Sequence, residues 1–121
     1  MKIKKIAIIG STGSIGLSAL KILDKKKKLF HISLLSSNRN YKTICNQIFK
    51  YKPDYYVISD NLTYQKVKKK FLKKNTKILN SYELLNFKKK NDIVISAIPG
   101  LAGLKPTIKM IKNCKKILIA N

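Results

Sequence analysis

A seven-residue run near the start of the chain, Gly10-Ser11-Thr12-Gly13-Ser14-Ile15-Gly16, has the residue types and spacing to hold a diphosphate. Its glycines follow GxxGxxG, a variant of the GxGxxG dinucleotide fingerprint. Gly10 permits a tight exit from a strand, Gly13 lets an anion approach the backbone with no Cβ in the way, and Gly16 lets a helix lie close on the sheet. The unpaired N–H groups at the start of that helix then face the anion, assisted by the helix dipole. Ser11, Thr12 and Ser14 can add hydroxyl donors. An ordinary Gly/Ser turn is the alternative. Context favours the diphosphate, because the run follows an apolar strand pattern and opens an amphipathic helix. No Gly-Lys-Ser/Thr follows, which excludes an ATP phosphate loop.

A second group decides which dinucleotide. In folds that take NAD, a carboxylate near the end of the second strand holds the ribose 2′-hydroxyl. The polar turn Ser36-Ser37-Asn38-Arg39-Asn40 contains no acid. It contains Arg39, the chain's only arginine, a planar cation suited to a 2′-phosphate and to stacking on adenine. Ser37, Asn38 and Asn40 are short polar groups that can join it. This favours NADP, with a solvated loop arginine as the alternative reading. The remaining reactive side chains form no comparable set. Asp24, Asp54, Asp60, Glu83 and Asp92 are scattered without metal-ligand spacing, and His31 lies inside a strand pattern. Cys45 and Cys114 read as packing residues.

These groups need a scaffold, and the apolar pattern predicts one. Strands are expected at Lys2–Ile9, Phe30–Leu35, Tyr55–Ile58, Lys77–Leu79, Asp92–Ile98 and Lys116–Ala120. Helices are expected from the glycine loop to Asp24, over Ile44–Phe49 before Pro53, from a cap within Ser59-Asp60-Asn61 through Leu72, at Ser81–Phe87, and over Gly103–Asn113 with Pro106 in its first turn. The strands are mostly continuous apolar runs, as expected when both faces are covered. The alternation predicts an α/β chain: a Rossmann-like, doubly wound, mostly parallel sheet with helices on both faces. At 121 residues one domain, 1–121, is expected.

Composition sets outer limits. With 45% hydrophobic residues the chain can bury a core, which excludes a disordered basic tail. No apolar run approaches the roughly 18 residues of a membrane span. The basic start followed by Ile6–Ile9 imitates a signal peptide, but the run is too short and ends in the glycine loop. Two distant cysteines without a CxxC suit free thiols in a reducing cytoplasm. The net charge of +22 suggests a polyanion partner. It is carried almost wholly by lysine in a chain rich in Ile, Asn and Tyr, all residues of A/T-rich codons, so composition drift explains it without a dedicated nucleic-acid surface.

The glycine run, the Asn38-Arg39-Asn40 turn, the segment Ser96-Ala-Ile-Pro-Gly-Leu-Ala-Gly-Leu-Lys-Pro-Thr107 and the ending Ile117-Leu-Ile-Ala-Asn121 together resemble the N-terminal, NADPH-binding part of the 1-deoxy-D-xylulose 5-phosphate reductoisomerases. The resemblance covers essentially the whole chain. It implies an enzyme of isoprenoid precursor synthesis (the MEP pathway). Such an enzyme rearranges 1-deoxy-D-xylulose 5-phosphate and reduces the product with NADPH to 2-C-methyl-D-erythritol 4-phosphate, using Mg²⁺ or Mn²⁺, as a cytoplasmic homodimer when full length. By matching position, Thr12, Gly13, Ser14 and Ile15 would line the pyrophosphate, and Asn38, Arg39 and Asn40 would hold the 2′-phosphate end. Asn121 would contact the cofactor near the nicotinamide, and the Ala97–Gly103 stretch, with Ala97 and Gly100, would form the floor beside that ring.

Two departures accompany the likeness. Pro99 stands where the family often has a β-branched residue, and it removes an N–H next to Gly100. In the family, Asn121 would be followed by Lys-Glu-Ser and then a catalytic domain with the metal-binding carboxylates. The expectation is therefore a fragment that binds NADPH, holds no metal ligand or catalytic residue, and turns over nothing alone. Competing readings are a fragment of another NADP-dependent semialdehyde or acyl-phosphate dehydrogenase, a basic polyanion-binding module, and an NADP-binding fold of other use.

Overall fold

The computed structural model describes residues 2–120. Strand β1 (Lys4–Ile9) starts at a solvated lysine and runs into four buried residues, Ile6 to Ile9. The glycine loop leads into α1 (Ser14–Asp24), and a 3₁₀ turn at Lys27–Leu29 returns the chain to β2 (Phe30–Ser37). Asn40 caps α2 (Tyr41–Tyr51), which ends with Lys52 left-handed at φ 46° ahead of Pro53. Then follow β3 (Tyr55–Ile58), α3 (Asn61–Lys70) and the short β4 (Lys77–Leu79). After an irregular stretch come β5 (Asn91–Ser96), α4 (Leu104–Ile111) and β6 (Cys114–Ile119).

The six strands form one sheet in the order β4-β3-β2-β1-β5-β6, and every pairing is parallel. Parallel neighbours require crossovers, and these lie on two sides. On one face, Leu20 of α1, Ile44 and Ile48 of α2, and Val67 of α3 pack with Phe71 against Ile6, Ile8, Leu35 and Tyr56. On the other, Met110 of α4, with Tyr82, Leu85 and Phe87, covers Ala7, Ile9, Leu34, Val57 and Val94. This is the doubly wound, Rossmann-like α/β fold the sequence predicts. The winding direction reverses between β1 and β5, which opens a crevice beyond the carboxyl ends of those two strands. None of the helices is long and apolar enough to cross a membrane among the described residues.

Three expectations need correction. Ser81–Phe87 is not a helix: only Tyr82–Leu84 form a 3₁₀ turn, and Leu85 is already extended at φ −67°, ψ 135°. Tertiary capture wins there, since Tyr82, Leu85 and Phe87 all turn onto the second core. The helix expected over Gly103–Asn113 forms as the shorter α4, which ends at Ile111; Gly103 closes a preceding 3₁₀ turn at Gly100–Gly103, and Pro106 lies inside the first turn of α4, where its missing N–H costs no bond. The last strand is not covered on both sides. It is the sheet edge, with Leu118 and Ile119 exposed.

Candidate functional site

The crevice is a cleft of about 340 Å³. Gly10, Thr12 and Gly13 form one wall, Ser37, Asn38 and Ser59 a second, and Ala97, Ile98 and Pro99 a third, with Tyr82, Ala102 and Pro106 completing it. Most come from the end of β2 and the segments after β1, β3, β4 and β5, with Pro106 from α4. A parallel sheet delivers the carboxyl ends of its strands to one side, so residues far apart in sequence meet there.

The glycine loop is built as its spacing predicts. Gly10 sits at φ +82°, and a Cβ on it would fall 2.8 Å from Ile98 Cγ1 and 3.0 Å from the Ala97 carbonyl carbon. Glycine therefore lets the turns after β1 and β5 close together. A Cβ on Gly16 would press on the Gly10 carbonyl oxygen and lie 2.7 Å from Ser11 Cα, so the close approach is of α1 to the loop itself. At Gly13 the nearest atom to such a Cβ is Gly10 O at 3.9 Å, which leaves the space beside that residue open. Gly13 is also the N-cap of α1 and supplies no side-chain cap, whereas Asn40 and Asp60 cap α2 and α3. The first N–H groups of α1 thus keep their capacity for an anion beside a helix dipole of matching sign.

Ser11 behaves differently from the expectation for it. It is fully buried. Its Oγ donates to Gln47 Oε1 at 2.7 Å and lies 3.2 Å from both Ser36 O and Tyr56 OH. The hydroxyl therefore faces the interior, not the cleft. Gln47 and Tyr56 come from α2 and β3, and no local pattern around Ser11 announces them. Ser14 is exposed at the first position of α1, Ile15 is half-buried behind it, and Gly16 is buried under the loop; none of the three lines the cleft.

The second predicted group divides. Ser37 and Asn38 line the cleft. Asn40 points its Oδ1 at Thr43 N, 3.3 Å away, to cap α2. Arg39 is exposed, with Nε 3.6 Å from Asp60 Oδ1. Asp60 also accepts from Thr63 Oγ1 at 2.7 Å and Thr63 N at 3.1 Å, through Oδ2. Those Thr63 bonds, with Arg39 adding, hold its carboxyl below the usual range. Ser59 ties the two turns together, its Oγ donating to Asn38 Oδ1 at 3.0 Å and its N–H to Ser37 O at 3.1 Å. Ser59 and Asp60 were missed as site residues; the β2–β3 pairing brings them here.

In the third segment Ala97 lines the cleft, while Gly100 is exposed and lies outside its lining. Pro99 disturbs nothing: at φ −73°, ψ 153° it caps the following 3₁₀ turn, a conformation its ring prefers. Tyr82 donates to Ser36 Oγ at 2.7 Å, and burial pushes its hydroxyl up from the usual phenol value. Asn121 lies outside the described residues. His31 sits at the opposite end of β2, exposed and 2.8 Å from Asp54 Oδ2. Among the described residues, no three His, Cys, Asp or Glu side chains come together to hold a metal ion.

The family model for 1-deoxy-D-xylulose 5-phosphate reductoisomerase matches residues 6–121. Over 98% of the chain, the reductoisomerase of Pelagibacter ubique is 42% identical and one from Buchnera aphidicola subsp. Acyrthosiphon pisum is 40% identical. The chain spans 31% of the length of each of these relatives. Among solved structures, the Zymomonas mobilis reductoisomerase in complex with NADPH superposes with a TM-score of 0.87 at 25% identity, over 99% of this chain and 32% of that one. A reductoisomerase in complex with NADPH, fosmidomycin and magnesium gives a TM-score of 0.87 at 28% identity, over 98% of this chain and 30% of that one.

Proposed function

The chain belongs to the 1-deoxy-D-xylulose 5-phosphate reductoisomerase family, and we propose that it is the NADPH-binding part of such an enzyme. The observation that carries this reading is the cleft at the β1/β5 switch point, walled by Thr12 and Gly13, in a fold that matches a relative solved with NADPH. The residues suit that cofactor. Open space beside Gly13 and the uncapped start of α1 fit a diphosphate. Arg39, with Asn38 and Asn40 in the same turn, offers a cation and amide groups to a 2′-phosphate. Ala97, Ile98 and Pro99 form an apolar wall against which a nicotinamide ring would lie, and Asn121 is proposed as a polar contact near it.

In the proposed reaction, 1-deoxy-D-xylulose 5-phosphate is rearranged and reduced to 2-C-methyl-D-erythritol 4-phosphate, a step of isoprenoid precursor synthesis. NADPH supplies the hydride. This chain's residues bind the coenzyme, keep water from its apolar end and fix its orientation, which is the positioning part of catalysis. The Mg²⁺ or Mn²⁺ of the family finds no ligand set among the described residues, so no metal-dependent step is assigned to them. The proposal extends to a cytoplasmic protein that acts as a homodimer at the length of its relatives, with its two free cysteines suited to a reducing compartment.

Titration with NADPH and with NADH, followed by nicotinamide fluorescence, tests the reading. Saturable NADPH binding, tighter than NADH, is expected. Failure of NADPH to saturate, or equal affinity for the two, removes it.

A further inference from the structure

Beneath the cleft lies a buried polar cluster that the coenzyme contacts proposed above do not use. Gln47 of α2 is 3% exposed, and its amide grips one residue of the glycine loop from both sides. Its Nε2 donates to Ser11 O at 2.8 Å, and its Oε1 accepts from Ser11 Oγ at 2.7 Å. Tyr56, fully buried on β3, donates its hydroxyl to the same Oε1 at 2.8 Å. Burial pushes that phenol up to about 12, so it keeps its proton and remains a donor. Ser11 N donates to Ser36 O at 2.7 Å. Two successive peptide groups of the loop are therefore anchored from the interior.

The consequence follows from peptide geometry. A trans peptide is planar, and its N–H points opposite to its C=O. When Gln47 draws the Ser11 carbonyl inward, the N–H of Thr12 in the same peptide must point outward, and Thr12 lines the cleft. We propose that Gln47 is a positioning residue of the dinucleotide site, which aims the Thr12 N–H at the diphosphate by holding the Ser11 carbonyl from below. Tyr56 supports it by fixing which end of the amide faces Ser11. The inference rests on the proposed NADPH-binding role and adds a residue in α2, outside the loop, to the diphosphate-binding machinery.

The test uses the full chain, its Gln47→Met and Gln47→Glu variants, and three probes: NADPH, NADH and adenosine 2′-monophosphate, which lacks the diphosphate. Met keeps roughly the volume of Gln and removes both bonds, while Glu keeps the acceptor and loses the donor to Ser11 O. In both variants NADPH and NADH are expected to weaken by the same factor, roughly tenfold for the lost orientation of one donor. Adenosine 2′-monophosphate binding should stay within about twofold of wild type, because that probe does not need the loop. A general loosening of the fold would weaken all three probes alike, and that result overturns the proposal, as does unchanged dinucleotide affinity in a folded variant. Should neither Gln47 variant fold, Tyr56→Phe removes one donor to Oε1 and should show the same selective pattern at about two- to threefold; unchanged affinity there overturns the proposal equally. Wild type that binds neither dinucleotide would instead remove the proposed function itself.

Discussion

Arg39 is 78% exposed on the turn after β2, 3.6 Å from Asp60 Oδ1. An exposed ion pair of this kind contributes little to stability, so the guanidinium can exchange its carboxylate partner for a more highly charged phosphate. Arg39→Ala is expected to weaken NADPH by roughly 1.5–3 kcal/mol, the value of hydrogen bonds to a charged group, and to leave NADH nearly unchanged. Parallel titrations of both coenzymes check it, and equal losses would remove Arg39 from the 2′-phosphate. The arginine itself was legible, a single guanidinium at the end of the second strand pattern. Its partner was not. Asp60 reads from sequence as one of three residues that could cap a helix, and only the pairing of Ser37 with Ile58 brings the two turns together. Ser11 shows the converse: a serine in a glycine loop reads as a ligand donor, yet Gln47 and Tyr56 draw its hydroxyl inward.

The joint between β1 and α1 separates two glycines that look equivalent in the motif. At Gly16 a Cβ would lie 2.7 Å from Ser11 Cα, so alanine forces α1 away from the loop. Alanine gains about 1 kcal/mol of helix propensity there, but overpacking against backbone costs typically 1–3 kcal/mol, and the backbone has little room to relax. Gly16→Ala is expected to lower the melting temperature. At Gly13, φ is −78° and a Cβ meets nothing nearer than 3.9 Å, so alanine brings no clash and costs only the difference between glycine and alanine at an N-cap, roughly 0.5–1 kcal/mol. That Cβ would occupy the space proposed for the diphosphate, and Gly13→Ala should bind NADPH and NADH about tenfold or more weakly, for an obstructed phosphate contact. Melting curves and titrations on both variants check the contrast; a Gly13→Ala that loses as much stability as Gly16→Ala, or one that binds normally, contradicts it. The regular elements at this joint were readable because an apolar run, three glycines and a helical stripe agree. The segment from Ser81 to Phe87 was not, because its apolar residues serve the second core and no helical face, as the edge-on contact of Phe87 with Tyr55 at 5.4 Å shows.

Across the molecule, alternating strand and helix patterns were enough to place a doubly wound sheet, and the switch point followed from the strand order. What composition could not tell is how few acids hold a chain of net charge +22 together. All five reach across to another element: Asp54 lies 2.8 Å from His31 of β2, and Glu83 3.0 Å from Lys109 of α4. Asp24, at the end of α1, lies 3.0 Å from Lys50 of α2 and 3.2 Å from Lys27. Asp92 of β5 accepts from Lys5 N of β1 at 2.8 Å and lies 3.3 Å from Lys115 of β6. Asp60 joins the β3–α3 turn to Arg39. Asp24, Asp92 and Asp60 are held below the usual carboxylate range: Asp24 chiefly by Lys50, Asp92 chiefly by the Lys5 N–H, Asp60 chiefly by Thr63. Because the native values lie below the unfolded ones, the unfolded chain takes up these protons first. The stability they contribute is complete above the unfolded value of about 4 and is lost as pH falls through the native values. Protonation also removes the negative charges that offset the lysines, so self-repulsion grows in the same window. Urea midpoints should therefore hold steady from about pH 7 to 5 and fall below about pH 4. Added salt should recover part of the loss, since the Debye length shrinks to about 3 Å at 1 M. A midpoint that stays level to about pH 3 would mean that these carboxylates titrate alike folded and unfolded, and that the bridges contribute nothing.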